Sequence, residues 1–288
     1  MELNKGDTIG IIALSGECEQ KKVKQAKLNF ENLGFKVKLS KNIMEQNCYL
    51  AGFDEDKISE LERFFEDPDI KLIIAARGGY GTIRLIGRIN YEIIKNNPKP
   101  FCGYSDVTAL LLMIYKKCGI TTYHSPMACS DFGEKDFSLS TYENFVRTIN
   151  SANFAFAGQK TYKNKSAEGI LWGGNLSTVV SLCGIDFIPD KDFIFFTEDI
   201  NEPVYKIDRM FQQLINIDKF KSKCKGIVLG DFLGIDDEIW LEEYFKYLAQ
   251  LLCIPIISGF KITHAKEKIT LPIGAKAKID GIKLKVKL

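Results

Sequence analysis

The chain has 288 residues, of which 45% are hydrophobic, and a formal net charge of +2 from 39 basic and 37 acidic side chains. This length allows one large domain or two medium ones with a substantial core. Because basic and acidic residues are interspersed, the composition argues against a nucleic-acid-binding protein. No apolar run reaches the roughly 18 residues that a membrane-spanning helix needs, so no membrane partner is expected.

The eight cysteines are scattered without a C-x-x-C pair, and the two histidines are His124 and His264. This pattern argues against a zinc site and against a disulfide framework. No metal and no other cofactor is expected for this chain. The amino-terminal residues lack the pattern of a secretory signal peptide. We therefore expect a cytoplasmic protein whose thiols are reduced.

The first half of the chain alternates short apolar runs with amphipathic segments. Strands are predicted over residues 7–14, 36–40, 71–76, 101–105 and 120–126. Helices are predicted over residues 19–35, 54–65, 106–117 and 140–151. Strands that alternate with helices favour an α/β domain with a parallel sheet covered on both faces.

The polar stretch at 151–169 is rich in lysine and serine and has no helical stripe, so we place a domain boundary there. The predicted organisation is a first domain at 1–155, a linker at 156–168 and a second domain at 169–288. The second half mixes strands predicted over 192–199, 225–232, 254–260 and 276–288 with helices over 205–215 and 238–252. The predicted class is therefore α/β throughout.

Two strand ends carry unusual sequences, "AARGGYG" and "GYSD". Gly78 and Gly79 permit a close backbone approach and can aim N–H groups at an anion, although a tight turn explains them equally well. Without a G-x-G-x-x-G motif or a P-loop lysine, a nucleotide site has little support. Ser105 stands at a strand-to-helix corner. A serine at such a corner can simply be a helix N-cap, but we expect Asp106 to be the cap, which leaves Ser105 exposed as in a nucleophile elbow.

A serine nucleophile needs a base, and the base needs an orienting group. His264 lies in a loop between apparent strands, and Glu198 and Asp199 follow the apolar run "FIFF". A purely structural histidine is equally compatible with this pattern. No single one of these features decides the function.

In combination, the chain resembles the LD-carboxypeptidase family of serine peptidases, which includes the muramoyltetrapeptide carboxypeptidases. The resemblance extends over nearly the whole chain and depends on the order and spacing of several segments. These are "GDTIGIIALSG", "LERFFEDPDIKLIIAARGGYGTIRLI", "GYSDVTALL", "GILWGGNLSTVVSLCG", "EDINEPVYKIDRMFQQL", "GIVLGDF" and "THAKEKITLPIG". The resemblance implies a Rossmann-like first domain, a strand-rich second domain and an active site between them.

The resemblance implies that Ser105 is the nucleophile, His264 the general base and Glu198 the residue that orients the base. The oxyanion hole would use the backbone N–H groups of Gly79 and Asp106. Substrate binding is assigned to Arg77, Gly78, Trp172 and Asn175. Arg77 is our candidate for binding the terminal carboxylate, although an arginine beside this loop serves equally well as a donor to loop carbonyls.

The implied reaction is cleavage of an L,D peptide bond that releases the terminal D-alanine of a murein tetrapeptide during peptidoglycan recycling in the cytoplasm. The implied assembly is a homodimer. Family members often have Gly before this histidine and Asn a few residues after it, whereas Thr263 and Lys268 stand here. The orientation of the His264 loop is therefore expected to differ. Two alternatives stay open, a microcin-immunity-type peptidase acting on a peptidyl nucleotide and a non-catalytic ligand-binding module.

Overall fold

The structure, a computed structural model, describes residues 2–288. The chain divides into two compact units, Met1–Asn150 and Ser151–Leu288. Within the described part of the chain, none of the helices combines the length and the apolar character that crossing a bilayer demands.

The first unit alternates strands with helices, as the apolar pattern of its sequence predicts. In chain order the elements are β1 (Thr8–Ile12), α1 (Gln20–Asn32), β2 (Lys36–Leu39), α2 (Asp54–Glu66), β3 (Ile70–Ala75), α3 (Tyr91–Asn96), β4 (Phe101–Gly103), α4 (Thr108–Cys118), β5 (Thr122–His124), α5 (Ala128–Asp131) and α6 (Leu139–Asn150). The short helices α3 and α5 are additions to the predicted set, since four to six residues are too few to show a helical stripe.

The strands of the first unit lie parallel in the order β2-β1-β3-β4-β5. The central strands β1 and β3 are buried at nearly every position, which explains their continuous apolar sequences. The strand order reverses between β1 and β3. Ligands of open α/β sheets bind at the carboxyl ends of the strands beside such a reversal. The segments that leave β1, β3 and β4 at this edge contain Gly16, the glycine loop Arg77–Thr82 and Ser105.

The second unit is richer in strands. In chain order its elements are β6 (Asn153–Ala157), β7 (Lys160–Thr161), β8 (Ala167–Asn175), α7 (Leu176–Ser181), β9 (Phe193–Ile200), α8 (Val204–Ile215), α9 (Asp218–Lys223), β10 (Cys224–Leu233), α10 (Glu238–Leu252), β11 (Ile256–Ser258), β12 (Leu271–Ile273), β13 (Lys276–Asp280) and β14 (Lys283–Lys287). The segment 156–168, expected to be a linker, contains the end of β6, all of β7 and the start of β8.

The sheet of the second unit has the strand order β6-β14-β13-β8-β9-β10-β11-β7. The four strands β8 to β11 run parallel, and the outer strands pair antiparallel to their neighbours. The central strand β9 is buried from Phe193 to Asp199. Its sequence, FIFFTEDI, has four apolar residues and a threonine before two acids. The strand therefore places Glu198 near the carboxyl end of the sheet. The α/β class, with a parallel first sheet and a strand-rich second half, is confirmed.

Candidate active site

Ser105 occupies a strained corner between β4 and α4. Its backbone is left-handed, with φ of +59°, a conformation that costs an L-residue roughly 1–2 kcal/mol. A single 3-10 turn, Ser105–Val107, follows, in which the Val107 N–H donates to the Tyr104 carbonyl at 3.2 Å. Strain of this kind clusters at functional sites. The corner has the geometry of a nucleophile elbow, a serine raised between a strand and a helix.

The glycine loop packs directly against this serine. A Cβ on Gly78 would lie 3.0 Å from both the Cβ and the Oγ of Ser105, so the loop can approach only because that residue is glycine. Gly79 has φ of +119°, and a Cβ there would lie 3.3 Å from the Gly16 backbone. The Gly16 N–H donates to the Gly78 carbonyl at 3.2 Å. The loop backbone is thus held beside the serine hydroxyl, as an oxyanion hole requires.

Asp106 ties the serine corner to the glycine loop. Its Oδ2 accepts the N–H of Thr82 at 3.0 Å, and its carbonyl accepts the Thr82 hydroxyl at 2.5 Å. The amino-terminal cap positions of the 3-10 turn and of α4 are occupied by Tyr104 and Val107, and neither makes a side-chain capping bond, so the expectation that Asp106 is the cap residue is wrong. Its carboxylate braces the loop instead. Sequence reasoning missed Thr82, for which the hydroxyl directly after "RGGYG" was the available signal.

Arg77 opens the glycine loop and donates from Nη1 to the Glu17 carbonyl at 3.0 Å. This is the loop-bracing role that the sequence left open. A guanidinium has five N–H donors in a fork, so one such bond is compatible with binding a carboxylate as well. Arg77 also lines a cavity of about 220 Å³ together with Cys18 and Cys129.

Glu198 and His264 form the pair that was predicted for the second unit. His264 Nδ1 lies 2.7 Å from Glu198 Oε2, and the Glu198 side chain is fully buried, whereas that of His264 is 15% exposed. Among residues 2–288, the other carboxylate oxygen, Oε1, has no hydrogen-bond partner. A proton on Nδ1 donates to this carboxylate, which leaves Nε2 as the basic nitrogen of the ring. This is the arrangement of a general base with its orienting acid.

Asn175 lies beside Glu198 in the sheet, at the end of β8. Its Oδ1 accepts the Thr178 N–H at 3.1 Å and the Ser177 hydroxyl at 2.9 Å, and its Nδ2 donates to Asp199 Oδ1 at 3.0 Å. Burial raises the pKa of Asp199, and the charge of Glu198 adds to this, although N–H donors oppose it. These bonds fix the ends of β8 and β9, which suits Asn175 to positioning Glu198 as much as to binding substrate.

Trp172 lies in the core of the second unit. Its indole is fully buried, and the ring centroids of Phe187, Phe193 and Phe195 lie 5.7, 5.0 and 5.8 Å away. A substrate group could reach the indole only if this aromatic cluster opened. We therefore leave Trp172 out of the proposed substrate contacts and assign it to packing.

The loop that carries His264 is held by local hydrogen bonds. The buried Thr263 accepts the Ala265 N–H on Oγ1 at 3.0 Å, and the Ile262 carbonyl accepts the Asp231 N–H of β10 at 2.9 Å. Lys268 is buried as well. The threonine that stands where the family often has glycine thus supports the turn with its hydroxyl.

Comparison with known proteins places the chain in a family. Residues 9–125 match the LD-carboxypeptidase N-terminal domain, and residues 168–279 match the LD-carboxypeptidase C-terminal domain. A probable murein peptide carboxypeptidase of Bacillus subtilis (strain 168) is 36% identical over 288 residues, which cover 96% of this chain and 90% of the relative.

Solved structures agree with this assignment. The crystal structure of a muramoyltetrapeptide carboxypeptidase from Oxalobacter formigenes matches with a TM-score of 0.89 and 30% identity over 97% of each chain. That of an MccF-like protein from Bacillus anthracis str. Ames matches with a TM-score of 0.92 and 28% identity, covering 100% of this chain and 98% of the other. The chain therefore belongs to the LD-carboxypeptidase family and is a serine-type carboxypeptidase.

Proposed function

We propose that this carboxypeptidase cleaves the L,D peptide bond of a murein tetrapeptide and releases its terminal D-alanine. The substrate class rests on the murein peptide and muramoyltetrapeptide carboxypeptidases to which the chain is similar. We place the reaction in the cytoplasmic recycling of peptidoglycan and propose a homodimer as the working form.

The reaction assigns one role to each proposed residue. Ser105 Oγ attacks the carbonyl carbon of the scissile bond while His264 Nε2 takes the hydroxyl proton. Glu198 holds the imidazole in the required tautomer and stabilises the imidazolium that forms. The amides of Gly79 and Asp106 stabilise the oxyanion. His264 then protonates the departing amine, and water activated by the same histidine hydrolyses the acyl-enzyme.

The single observation that carries this proposal is the pairing of His264 with a fully buried carboxylate, 2.7 Å from Nδ1 to Oε2. Burying a carboxylate costs free energy, and a single partner offsets that cost only in part. Packing alone therefore does not explain why a buried glutamate is paired with a histidine here. A base oriented in this way needs a nucleophile. Ser105, with its strained backbone and its glycine neighbour, is the serine whose setting suits that task.

A second candidate function is hydrolysis of a peptidyl or acyl-sulfamoyl nucleotide, as in microcin immunity. It is favoured by the match to the MccF-like protein, which covers both chains almost completely. The two functions share their chemistry and differ in the leaving group of the scissile bond, which is an amino acid in one and a nucleotide in the other.

The test offers both substrate classes to the same protein. Purified enzyme is incubated with tetrapeptides ending in L-Lys-D-Ala or meso-diaminopimelate-D-Ala, and separately with an aspartyl-sulfamoyl adenosine, and mass spectrometry identifies the products. Loss of one alanine from a tetrapeptide supports the proposal. Cleavage of the nucleotide conjugate alone replaces it with the second candidate.

Two serine variants distinguish turnover by this enzyme from turnover by a contaminating peptidase. Ser105→Ala should abolish turnover, whereas Ser140→Ala, at an exposed position of α6, should leave it unchanged. Stoichiometric binding of the tetrapeptide with no turnover by the wild-type protein would favour the non-catalytic ligand-binding module.

A further inference from the structure

Two cysteines that are 111 positions apart in sequence meet beside the glycine loop. Cys18 and Cys129 line the same cavity of about 220 Å³, together with Arg77 and Lys22. Cys18 is half-buried and Cys129 is almost fully buried. Neither thiol has a part in the proposed peptidase reaction.

Each of the two cysteines contacts the glycine loop or a residue next to it. The Cys129 N–H donates to the carbonyl of Ala76, directly before Arg77, at 2.7 Å. The Cys18 thiol lies 3.9 Å from the Gly16 carbonyl, and the Gly16 N–H bonds to Gly78. Both cysteines therefore lie beside the segments that leave β1 and β3 at the carboxyl edge of the sheet.

The surroundings of the two cysteines shift the pKa values of their thiols in opposite directions. A hydrogen bond from the Cys129 thiol lowers the pKa of Cys18, and the Arg77 charge lowers it further, while burial and the Glu17 charge act in the opposite direction. The same hydrogen bond, together with burial, raises the pKa of Cys129. These effects favour the thiolate form at Cys18 over that at Cys129. Thiolates beside cationic groups are the reactive form of cysteine.

We propose that Cys18 and Cys129 are an oxidisable pair that forms a reversible disulfide when the protein meets a hydroperoxide such as hydrogen peroxide. The Cys18 thiol loses its proton, its sulfur attacks one peroxide oxygen, the O–O bond breaks, and the other oxygen leaves as water after taking up a proton. Cys18 is then a sulfenic acid.

The second step joins the two sulfurs. The Cys129 sulfur attacks Cys18 as it loses its proton, the S–O bond breaks, and a second water leaves. Two thiols and one peroxide become one disulfide and two waters. Thiol–disulfide exchange with a reducing thiol restores the pair, as in a cytoplasm that keeps thiols reduced.

Other cysteines of the chain differ from this pair in their surroundings. Burial raises the pKa of Cys224 to about 12 and that of Cys102 still further, which makes both thiols inert. Cys253 is exposed, and its thiol donates to the Gln250 carbonyl at 3.3 Å. Cys253 therefore serves as the internal reference for non-specific oxidation.

The test uses the full chain and does not depend on peptidase activity. Reduced protein is treated with a small molar excess of hydrogen peroxide, remaining thiols are blocked with N-ethylmaleimide, and the unreduced digest is mapped by mass spectrometry. We expect a cross-linked peptide containing Cys18 and Cys129 as the main oxidation product, and its disappearance after treatment with dithiothreitol. The cross-link should be absent from Cys18→Ser and Cys129→Ser and unchanged in Cys253→Ser.

Two results would overturn the proposal. One is a Cys18 that stays reduced while Cys253 is oxidised. The other is a Cys18 that accumulates as sulfenic acid, trapped by dimedone, without joining Cys129. The wild-type map decides the matter even if a serine variant fails to fold. An inactive peptidase that still forms the cross-link would count against the proposed function alone.

Discussion

Gly78 lies so close to Ser105 that a methyl group on its Cα would sit 3.0 Å from the serine hydroxyl oxygen. Real Cβ atoms seldom approach other atoms so closely, so the added atom would press on the Ser105 side chain or on the loop. The position therefore links a backbone property of the glycine loop to the placement of the proposed nucleophile.

The first prediction concerns this contact. Gly78→Ala should lower kcat/KM by about 10- to 100-fold, because small displacements of a reacting group are costly in rate. Gly87→Ala is the matched control, since a Cβ there would have no heavy atom within 4 Å. Steady-state kinetics and thermal melting of both variants provide the measurement. Equal activity in the two would show that the serine tolerates the added methyl.

The second prediction concerns the buried carboxylate. Glu198→Gln should lower kcat by about 10⁴-fold, because an amide does not hold the imidazole in the required tautomer or stabilise its positive form. The control is Glu168→Gln, an exposed glutamate of the same unit that pairs with Lys278 at 2.7 Å. Circular dichroism should show both variants folded. A Glu198→Gln enzyme with near-native kcat would remove Glu198 from the catalytic set.

The third prediction tests whether serine and histidine act as a unit. Ser105→Ala and His264→Ala should each reduce kcat by several orders of magnitude, and the double variant should be scarcely worse than either single one. The kcat of each of the three variants is measured in the steady state at high enzyme concentration. Multiplicative losses in the double variant would mean that the two residues act independently.

The fourth prediction concerns a buried ion pair network in the first unit. Lys57 is fully buried with Nζ 3.1 Å from Asp54 Oδ1, and Arg84 Nη2 lies 2.7 Å from Asp54 Oδ2. The hydrogen bond from Arg84, together with the charge of the paired Lys57, lowers the pKa of Asp54 against the opposing effect of burial. Asp54→Asn should cost about 3–5 kcal/mol of unfolding free energy at neutral pH, because it leaves the Lys57 charge uncompensated.

The pH dependence of this cost has a definite sign. Because the pKa of Asp54 is lower in the folded chain than its unfolded value of 3.8, the stabilisation is complete above that value and disappears as pH falls through the folded pKa. Urea unfolding of wild type and Asp54→Asn from neutral pH downwards should show the two curves converging below pH 3.8. Glu55→Gln, an exposed neighbour paired with Arg88, should differ little from wild type at any pH. A gap that persists at low pH would point to lost packing instead of lost charge.

The fifth prediction concerns metal ions. Within residues 2–288, no group of three or more His, Cys, Asp or Glu side chains is placed to hold a metal. The proposed reaction moves its protons through His264 alone. Prolonged dialysis against a chelator should therefore leave kcat/KM unchanged, measured against enzyme dialysed without it. Activity that vanishes and returns with added zinc would contradict the serine mechanism.

The sequence predicts the first unit well because its strands are buried on both faces. Runs such as Thr8–Ile12 and Ile70–Ala75 are almost entirely apolar, and the helices between them carry clear stripes. The segment 156–168 was harder to interpret, because the outer strands there are short and polar and pair only at the margin of the sheet. The strand Ala167–Asn175 was missed since "WGGN" carries two glycines, which weaken a strand signal.

The proposed catalytic residues could be named from motifs, but several of the contacts around them could not. Nothing local in "GYSD" indicates that Asp106 bonds to Thr82, 24 positions earlier. The proximity of Cys18 and Cys129 could not be predicted either, because the two cysteines do not form a recognisable sequence motif. Such contacts depend on which strand ends become neighbours, a property of the sheet order and not of any short segment.

The left-handed backbone of Ser105 has a consequence for laboratory evolution. Glycine adopts that conformation without strain, so Ser105→Gly should relax the corner and raise the melting temperature while destroying turnover. A library of this protein selected only for heat resistance or expression would therefore be enriched in inactive clones at position 105. The screen therefore has to measure turnover as well, because at position 105 the residue with the least backbone strain gives an inactive enzyme.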